Sequence, residues 1–267
     1  MATRTEAGSR AAGHLAPVSG HLVRIGTSGW QYKHWRGPFY ESGLPVSRML
    51  EAYCRHFDTV EINNSFYKLP SAAAFENWRE STPLNFLFAV KASRFITHMK
   101  KLKDPESALQ NFLPRAEKLK EKLGPILFQL PPRWQVDPGR LNDFLQALPR
   151  KHRYAFEFRD PSWHTQRIYD LLRQFNAAFC TFDLAGLHSP CEITAKFTYV
   201  RLHGPGGPYQ GNYSRHALRE WAERIRQWRS SLDVFIYFDN DQAGYAALNA
   251  LDLRKLVLGQ EPKARAA

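Results

Sequence analysis

The chain has 267 residues and an ordinary globular composition, with 43% hydrophobic and 23% charged residues. No apolar run reaches the roughly 20 residues that a membrane-spanning helix needs, so we expect no contact with a membrane. The net charge of +12 favours anionic ligands or polyanions, but the basic residues are scattered and form no single tract that would identify a partner.

The two ends of the chain lack hydrophobic periodicity. Residues 1–21 contain no signal-peptide core and are predicted to be a disordered tail, and residues 259–267 a flexible one. Residues 22–258 contain no linker-like stretch, so they are predicted to form one domain. The three cysteines have no C-x-x-C spacing, which indicates reduced thiols and a cytoplasmic protein.

Strand-like apolar runs alternate with helical patterns along this domain. The predicted strands and the helices that follow them are 22–29 with 45–57, 59–66 with 71–81, 85–93 with 105–123, 125–131 with 138–148, 153–160 with 165–176, 177–183 without a clear helix, 197–204 with 214–231, and 234–240 with 241–257. Ser71 is the predicted N-cap of the second helix. Eight such units predict a single (β/α)8 barrel of the TIM type. A doubly wound open sheet is the alternative, but GTSGWQ (26–31) does not match its glycine-rich phosphate turn.

The stretch VEINNSFYKLP (60–70) places a carboxylate and an amide between the apolar residues of a strand. In a closed barrel, alternate residues face the helices or the interior. Outward Val60 and Ile62 therefore predict that their polar neighbours face inward. The same alternation on the other strands, with Phe182 taken as outward, predicts a polar cluster at the C-terminal mouth, where barrel active sites lie. The predicted inward residues are Glu61, Asn63, Lys91, Gln129, Glu157, Arg159, Asp183, Arg201 and His203, with either Asp239 or Asn240 from the last strand.

The predicted inward set contains both signs of charge, so its members could neutralise one another. A purely structural network of ion pairs is the alternative interpretation, and for any single residue such pairing would explain its presence. We favour a ligand site because buried ion pairs stabilise a fold weakly compared with apolar packing. Lys91 is expected to pair with Glu61, and Schiff-base chemistry would require that burial lower its pKa.

Seven motifs occur in order along the chain: IGTSGWQYKHWRGPFY, FDTVEINNSFYKLP, FAVKASRFITHMKKLKD, GPILFQLPP, YAFEFRDPSW, YVRLHGP and YFDN. Over residues 23–250 they resemble the domain of unknown function family 72, the YecE-like proteins. The resemblance implies a TIM-type barrel. The family's barrel has been likened to that of endonuclease four, a metal-dependent abasic-site nuclease, which implies DNA binding. The family's last motif usually reads FNN, whereas this chain has Asp239 at the first of those asparagines.

A metal centre is not expected at the mouth. His203, with His98 or His188 from loops, offers few ligands, and the chain has no H-E-x-x-H motif. Lysine and arginine in the same pocket would also repel a cation. We therefore predict no metal and no cofactor.

Acid–base chemistry fits the predicted residues better, and it indicates a metal-independent hydrolase, lyase or isomerase of a polar, anionic or sugar-containing small molecule. The base is predicted among Glu61, Glu157 and Asp183, with Lys91 or His203 as proton donor. The predicted ligand contacts are Asn63, Tyr67, Gln129, Arg159, Arg201, Asn240, Trp30 and Tyr213. The alternative function is a repair-related protein that binds DNA or RNA through its basic surface and rim aromatics. The predicted rim rings are Trp30, Tyr32, Trp35, Tyr67, Trp163, Tyr209 and Tyr213. Of these, Trp35 and Trp163 are expected only to pack loops onto the rim.

Overall fold

One sheet of nine strands organises the computed structural model, which describes residues 20–259. The strands are β1 (Val23–Thr27), β2 (Thr59–Ile62), β3 (Leu87–Lys91), β4 (Leu123–Gln129), β5 (Tyr154–Glu157), β6 (Ala178–Leu184), β7 (Leu187–His188), β8 (Phe197–Leu202) and β9 (Asp233–Phe238). Eight of them are parallel neighbours in the order β1-β9-β8-β6-β5-β4-β3-β2, and β7 pairs antiparallel with β6. A parallel bridge from Ser28 to Glu61 joins β1 to β2. The predicted TIM-type barrel is therefore confirmed as a nearly closed one.

Helices lie between most of the strands. They are α1 (Met49–Cys54), α2 (Asn64–Tyr67), α3 (Ala72–Glu80), α4 (Pro105–Ala116), α5 (Pro138–Ala147), α6 (Gln166–Gln174), α7 (Arg215–Trp228) and α8 (Tyr245–Leu258). The predicted N-cap is confirmed, because the Ser71 hydroxyl accepts a hydrogen bond from the N–H of Ala74 at 3.2 Å. Within the described residues, no helix has both the length and the apolar character needed to cross a membrane.

Two predicted boundaries are wrong for local reasons. The strand predicted over 59–66 ends at Ile62, and its last residues form the short helix α2 instead. The helix predicted over 105–123 ends too late, because β4 already begins at Leu123 and includes Gly124. The predicted terminal tails lie almost entirely in 1–19 and 260–267, outside the described residues, and stay predictions.

The outward faces of the strands form the main apolar core. Val60, Ile62, Phe88, Val90 and Phe128 are completely buried in it, with the orientation that the alternation predicts. Further outward-facing members of this core, from the other strands, are Phe156, Phe158, Val200, Leu202, Val234 and Ile236. Burial of this layer against the helices is the main apolar contribution to the stability of the barrel.

The barrel interior is filled by an inner layer that combines small and large side chains. One half of the circle supplies Ala89, Leu127, Ala155, Ala178 and Cys180. Strands β8 and β9 supply the large rings Phe197, Tyr199, Phe235 and Tyr237. Because alanine leaves space across the barrel, rings from only two strands can fill its centre. The inner layer therefore forms a closed floor beneath the mouth.

Gly26 of β1 lies where this strand approaches β2. A Cβ added at Gly26 would lie 2.4 Å from the carbonyl oxygen of Thr59, which is backbone and cannot move aside. We therefore expect Gly26→Ala to lower the free energy of unfolding by about 2 kcal/mol. Urea denaturation followed by circular dichroism measures this loss.

Gly43→Ala is the matched control for Gly26→Ala, because a Cβ there would meet nothing within 4 Å. Its unfolding midpoint should stay close to that of the parent protein. Equal losses in the two variants would contradict the proposed contact with β2.

Candidate active site

Arg201 lies at the centre of the barrel mouth and is completely buried. Its Nε and Nη2 donate to the two carboxylate oxygens of Glu61 at 3.0 and 2.8 Å. Its Nη1 donates to Glu157 at 3.0 Å, and its Nη2 also donates to Asp239 at 2.9 Å. One guanidinium therefore connects carboxylates from β2, from β5 and from the end of β9. This geometry uses the fixed fork of arginine, which a lysine could not reproduce.

His203 and Arg159 extend this cluster toward solvent. Arg159 donates through Nε to Glu157, and its Nη2 lies 2.9 Å from Nε2 of His203. Arginine can only donate, so Nε2 of His203 must accept, and the imidazole proton is on Nδ1. That nitrogen lies 3.0 Å from a carboxylate oxygen of Asp239. We call these six residues the Arg201 network: Glu61, Glu157, Arg159, Arg201, His203 and Asp239.

Two carboxylates of the Arg201 network, Glu157 and Asp239, are held in their ionised form. Burial by itself would raise the pKa of Glu157, but the charges of Arg159 and Arg201 outweigh it and hold that pKa well below its usual range. Burial and Arg201 oppose each other in the same way at Asp239, whose pKa is also lowered. Near neutral pH both groups are therefore weak bases with no proton to give.

Lys91 also faces the mouth, as predicted, but it does not pair with Glu61. The side chain is buried, with 4% of the residue exposed. No hydrogen bond or ion pair involves its Nζ within residues 20–259, and Nζ lies 4.3 Å above the ring of Phe66. Burial and the nearby charge of Arg201 lower the pKa of Lys91 to about 8, despite the opposing effect of the carboxylates. The expected Lys91–Glu61 ion pair is wrong because both oxygens of Glu61 bind Arg201 instead.

Two amides flank Lys91 at the mouth. Asn63 follows β2 and Gln129 ends β4, so they stand on either side of Lys91 at the end of β3. The carbonyl oxygens of both amides are buried without a hydrogen-bond partner among the described residues. An unsatisfied buried acceptor costs about 1–3 kcal/mol, so a ligand with hydroxyl or N–H groups would relieve that cost. We call Asn63, Lys91 and Gln129 the amide–lysine cluster.

A cavity of about 280 Å³ opens beside Asn63. Its aromatic walls include three of the predicted rim rings, and its lining residues are Gly29, Trp30, Gln31, Tyr32, Asn63, Asn64 and Tyr67. Two of these lining residues, Trp30 and Asn63, carry a buried polar atom, the indole N–H and the amide oxygen, without a hydrogen-bond partner among the described residues. The predicted ligand contacts Trp30, Asn63 and Tyr67 are thereby brought together in one place.

Asp183 was predicted to face the mouth, and this orientation is wrong. Cys180 belongs to the inner layer, so Phe182 faces inward and Asp183 faces the loops outside. Phe182 lies beneath Arg159, whose guanidinium carbon is 4.9 Å from the ring centroid. Asp183 lies instead beside the Tyr213 hydroxyl, whose pKa burial and this carboxylate raise. The predicted orientation of β6 is wrong because a large apolar residue such as Phe182 is typical of an outward position.

Asn240 and Tyr213 were predicted to contact the ligand, but both lie outside the mouth. The amide nitrogen of Asn240 donates to the carbonyl of Gly211 at 2.8 Å and to Asn249 of α8 at 2.9 Å. The Tyr213 hydroxyl accepts from the N–H of Gly204 at 3.0 Å. These residues hold the loop after β8 against the barrel, so the ambiguity of the last strand is resolved in favour of Asp239. Trp35 and Trp163 were expected to pack the rim, and both are completely buried.

Three site residues were missed by the sequence argument. The hydroxyl of Ser28 donates to Glu61, and the hydroxyl of Tyr199 donates to the same carboxylate at 2.7 Å. Alternation along the strands could have found both, since Ser28 lies three positions after the outward Ile25 and Tyr199 lies two positions before the inward Arg201. Tyr32 was identified only as a rim ring, but it lies so near Asp239 that burial and this carboxylate raise its pKa well above the ordinary value.

The donor set of the mouth does not fit a divalent metal. Across residues 20–259, no group of three or more histidine, cysteine, aspartate or glutamate side chains is placed to hold an ion. The carboxylates that a metal would need are bound by Arg201 and Arg159. His98 and His188, the loop histidines considered as ligands, do not join them: His98 packs on Phe66, and the nearest carboxylate to His188 is Asp183.

The sequence profile of a family described as protein of unknown function DUF72 matches residues 24–266. The chain belongs to this DUF72 family. It is 26% identical over 279 residues to the UPF0759 protein YunF of Bacillus subtilis, a match that covers 88% of this chain and 95% of that one. It is 32% identical over 242 residues to the UPF0759 protein YecE of Escherichia coli, covering 81% and 85%. The resemblance that the seven motifs indicate is therefore confirmed.

Solved structures support the same fold. The chain matches the crystal structure of a DUF72 family protein from Thermotoga maritima with a TM-score of 0.80 at 30% identity, covering 90% of this chain and 100% of that one. A DUF72 family protein from Enterococcus faecalis has a TM-score of 0.77 at 18% identity, covering 92% and 100%. The second likeness concerns the fold alone. Together they confirm the barrel fold.

Replacing Lys91 tests its buried, unpaired state. Because its pKa is near 8 in the folded protein and about 10.4 in an unfolded chain, the unfolded state binds the proton more tightly. The ammonium is therefore unfavourable to folding below pH 8, and this effect fades as the pH rises from 8 to about 10. We expect Lys91→Met to raise the free energy of unfolding at pH 7 by about 2 kcal/mol. Urea denaturation at pH 7 and pH 10 measures both the gain and its decline.

Lys122→Met is the matched control, since Lys122 is a buried lysine whose Nζ donates to the carbonyls of Arg79 and Thr82. Its removal takes one donor from each of those carbonyls and should lower stability at pH 7. A loss of stability in Lys91→Met as large as that in Lys122→Met would mean that Lys91 has a partner in solution.

Proposed function

We propose that this protein is a metal-independent enzyme that binds a small polyhydroxylated ligand at the barrel mouth, with Lys91 as the group that transfers the proton. The observation that carries the proposal is a buried lysine without a partner between two unsatisfied amides, Asn63 and Gln129. Within residues 20–259, these three residues lie at the mouth but outside the Arg201 network. The reaction class stays among hydrolase, lyase and isomerase.

The pairing within the Arg201 network argues against the predicted role of the carboxylates as acid and base. Glu61 and Glu157 each bind Arg201, and the pKa of Glu157 is held well below its usual range by Arg159 and Arg201, against the effect of burial. A group whose pKa is close to the working pH transfers protons more efficiently, and the pKa of Lys91 near 8 meets that condition. We therefore assign the acid–base role to Lys91, and to the carboxylates the role of fixing Arg201.

The free groups favour a sugar-like ligand over a strongly anionic one. Arg159 and Arg201 were predicted to hold an anion, but both already bind carboxylates. The remaining acceptors, Asn63 and Gln129, need donors such as hydroxyl groups. The aromatic walls of the adjoining cavity suit the apolar face of a sugar ring. Its volume of about 280 Å³ is near the lower end of the range for small-molecule sites.

A panel of neutral monosaccharides and sugar alcohols tests this proposal by ligand-observed NMR and calorimetry. For the tightest ligand of the panel, we expect Gln129→Ala to raise Kd about 10-fold, because one buried hydrogen bond of about 1.4 kcal/mol is lost. Gln110→Ala is the control, because Gln110 is exposed on α4, away from the mouth. The proposed ligand class is refuted if no member of the panel binds, or if the two substitutions change Kd equally.

Nucleic acid is the second candidate ligand, and a surface beside the mouth favours it. Tyr67 and Met99 are 71% and 68% exposed, and Phe95 is also exposed. The cations around them are Lys68, Arg94, Lys101 and Lys103, all exposed and without an ion pair within residues 20–259. Exposed rings among unpaired cations can stack on bases while the cations contact phosphates.

Fluorescence anisotropy with a labelled single-stranded oligonucleotide tests the nucleic-acid alternative. If the four cations contact phosphates, log K should fall with log salt with a slope of about −3. Lys101→Glu should weaken binding, while Lys196→Glu should leave it unchanged, because Lys196 is exposed just before β8, at the opposite end of the barrel. Affinity that is insensitive to salt, or equally sensitive to both substitutions, would exclude this surface as the binding site.

A further inference from the structure

We propose that Lys91 is a nucleophile that forms a Schiff base with the aldehyde or ketone carbon of the ligand. The inference rests on the proposed function and narrows its ligand class to carbonyl compounds such as open-chain sugars. It starts from the position of Lys91 at the C-terminal end of a barrel strand, buried and without a hydrogen bond or ion pair within residues 20–259.

A second buried lysine shows what a purely structural lysine looks like in this fold. Lys122, with 2% of the residue exposed, places its Nζ 2.6 Å from the carbonyl of Thr82 and 3.2 Å from the hydroxyl of the same residue, and also donates to Arg79. Its three N–H groups therefore have acceptors, as burial of an ammonium requires. Lys91 is similarly buried and has no such acceptor within residues 20–259, so its ammonium form is less stable than that of an ordinary lysine.

Burial keeps part of Lys91 in the reactive amine form, because it lowers the pKa of this side chain. The charge of Arg201 on β8 also lowers this pKa, while Asp239 after β9, Glu61 on β2 and Glu157 on β5 favour the ammonium. On the β3 side, the pKa of His98 is lowered to about 4 by burial, by Lys91 and by Arg94, so this imidazole adds no charge near pH 7. With a pKa near 8, on the order of a tenth of Lys91 is the free amine at pH 7. An ordinary lysine provides far less.

The chemical step needs no reagent beyond the ligand. The lone pair of Nζ attacks the carbonyl carbon, a C–N bond forms, and the carbonyl oxygen takes a proton to give a carbinolamine. That hydroxyl takes a second proton and leaves as water, while the nitrogen lone pair forms the C=N bond. In sum, the ammonium of Lys91 and one carbonyl give one protonated imine and one water, with no change of oxidation state.

The two amides are placed to assist this step. The free carbonyl oxygens of Asn63 and Gln129 can accept from the carbinolamine hydroxyl or from hydroxyls on neighbouring carbons of the ligand. A protonated imine withdraws electrons from the adjacent carbon, which favours loss of a proton there or cleavage of the next C–C bond. The inference therefore selects a lyase or an isomerase and excludes a hydrolase.

Reductive trapping tests the inference on the intact protein. The chain is incubated with glyceraldehyde or dihydroxyacetone, sodium borohydride is added, and peptides are mapped by mass spectrometry. The expected product is a Lys91 adduct with the mass of the carbonyl compound less one oxygen atom, formed at least 10-fold faster at pH 7.5 than on any exposed lysine. Its rate should rise with pH to a half-maximum near 8, the pKa of the amine.

Two variants control the trapping experiment. Lys91→Arg should lose the adduct at this position and retain circular dichroism and urea unfolding close to those of the parent. Lys101→Arg, at an exposed lysine of the loop after β3, should still be labelled at Lys91.

The outcomes separate this inference from the proposed function. If the protein binds the sugar panel but Lys91 is labelled no faster than exposed lysines, the Schiff base is overturned and the proton-transfer role stays intact. If the protein binds no member of the panel and Lys91 is not labelled preferentially, both proposals are overturned. Preferential labelling of Lys91 that is lost in Lys91→Arg supports the nucleophile.

Discussion

The buried guanidinium of Arg201 is the interaction on which the mouth of this barrel depends. It binds carboxylates from three separate strands, and those carboxylates have few other partners able to balance their charge. Removing one member of a buried ion cluster leaves uncompensated charge, at a cost of about 3–5 kcal/mol. The cluster therefore specifies how the strand ends approach each other. It also neutralises the groups that would otherwise be the obvious acid and base.

This neutralisation divides the mouth into two halves with different properties. On the side of β5, β8 and β9, the carboxylates of Glu157 and Asp239 bind Arg201. On the side of β2, β3 and β4, Asn63, Lys91 and Gln129 have polar side-chain atoms without a partner among residues 20–259. A ligand gains more free energy by binding groups that are unsatisfied than by displacing satisfied pairs. The groups that are available to a ligand therefore lie in the smaller and less charged half of the mouth.

The period-two pattern of the strands predicts much of the fold and of the site, since apolar residues on one face leave the other face to the interior. It places Glu61, Lys91, Glu157 and Arg201 correctly. It fails at β6, because hydrophobicity alone does not distinguish an aromatic ring that packs under an arginine from one that packs against a helix, as Phe182 shows. The pattern also does not predict which side chains of the mouth form ion pairs with each other. Side-chain geometry across the barrel determines which carboxylates Arg201 binds. Because Arg201 binds Glu61, Lys91 does not form an ion pair with that carboxylate.

The seam between β1 and β2 has a consequence for how the site comes into being. Glu61 takes part in that seam through its backbone, which accepts from the N–H of Gly29 at 2.8 Å, while its side chain binds Arg201. Closing the circle and assembling the mouth are therefore one cooperative event, joined at a single residue. A chain whose first strand has not yet docked lacks the Ser28 contact and one wall of the cavity. The exchange rate of the Gly29 amide with deuterated solvent would accordingly report the opening of the barrel and the integrity of the pocket together.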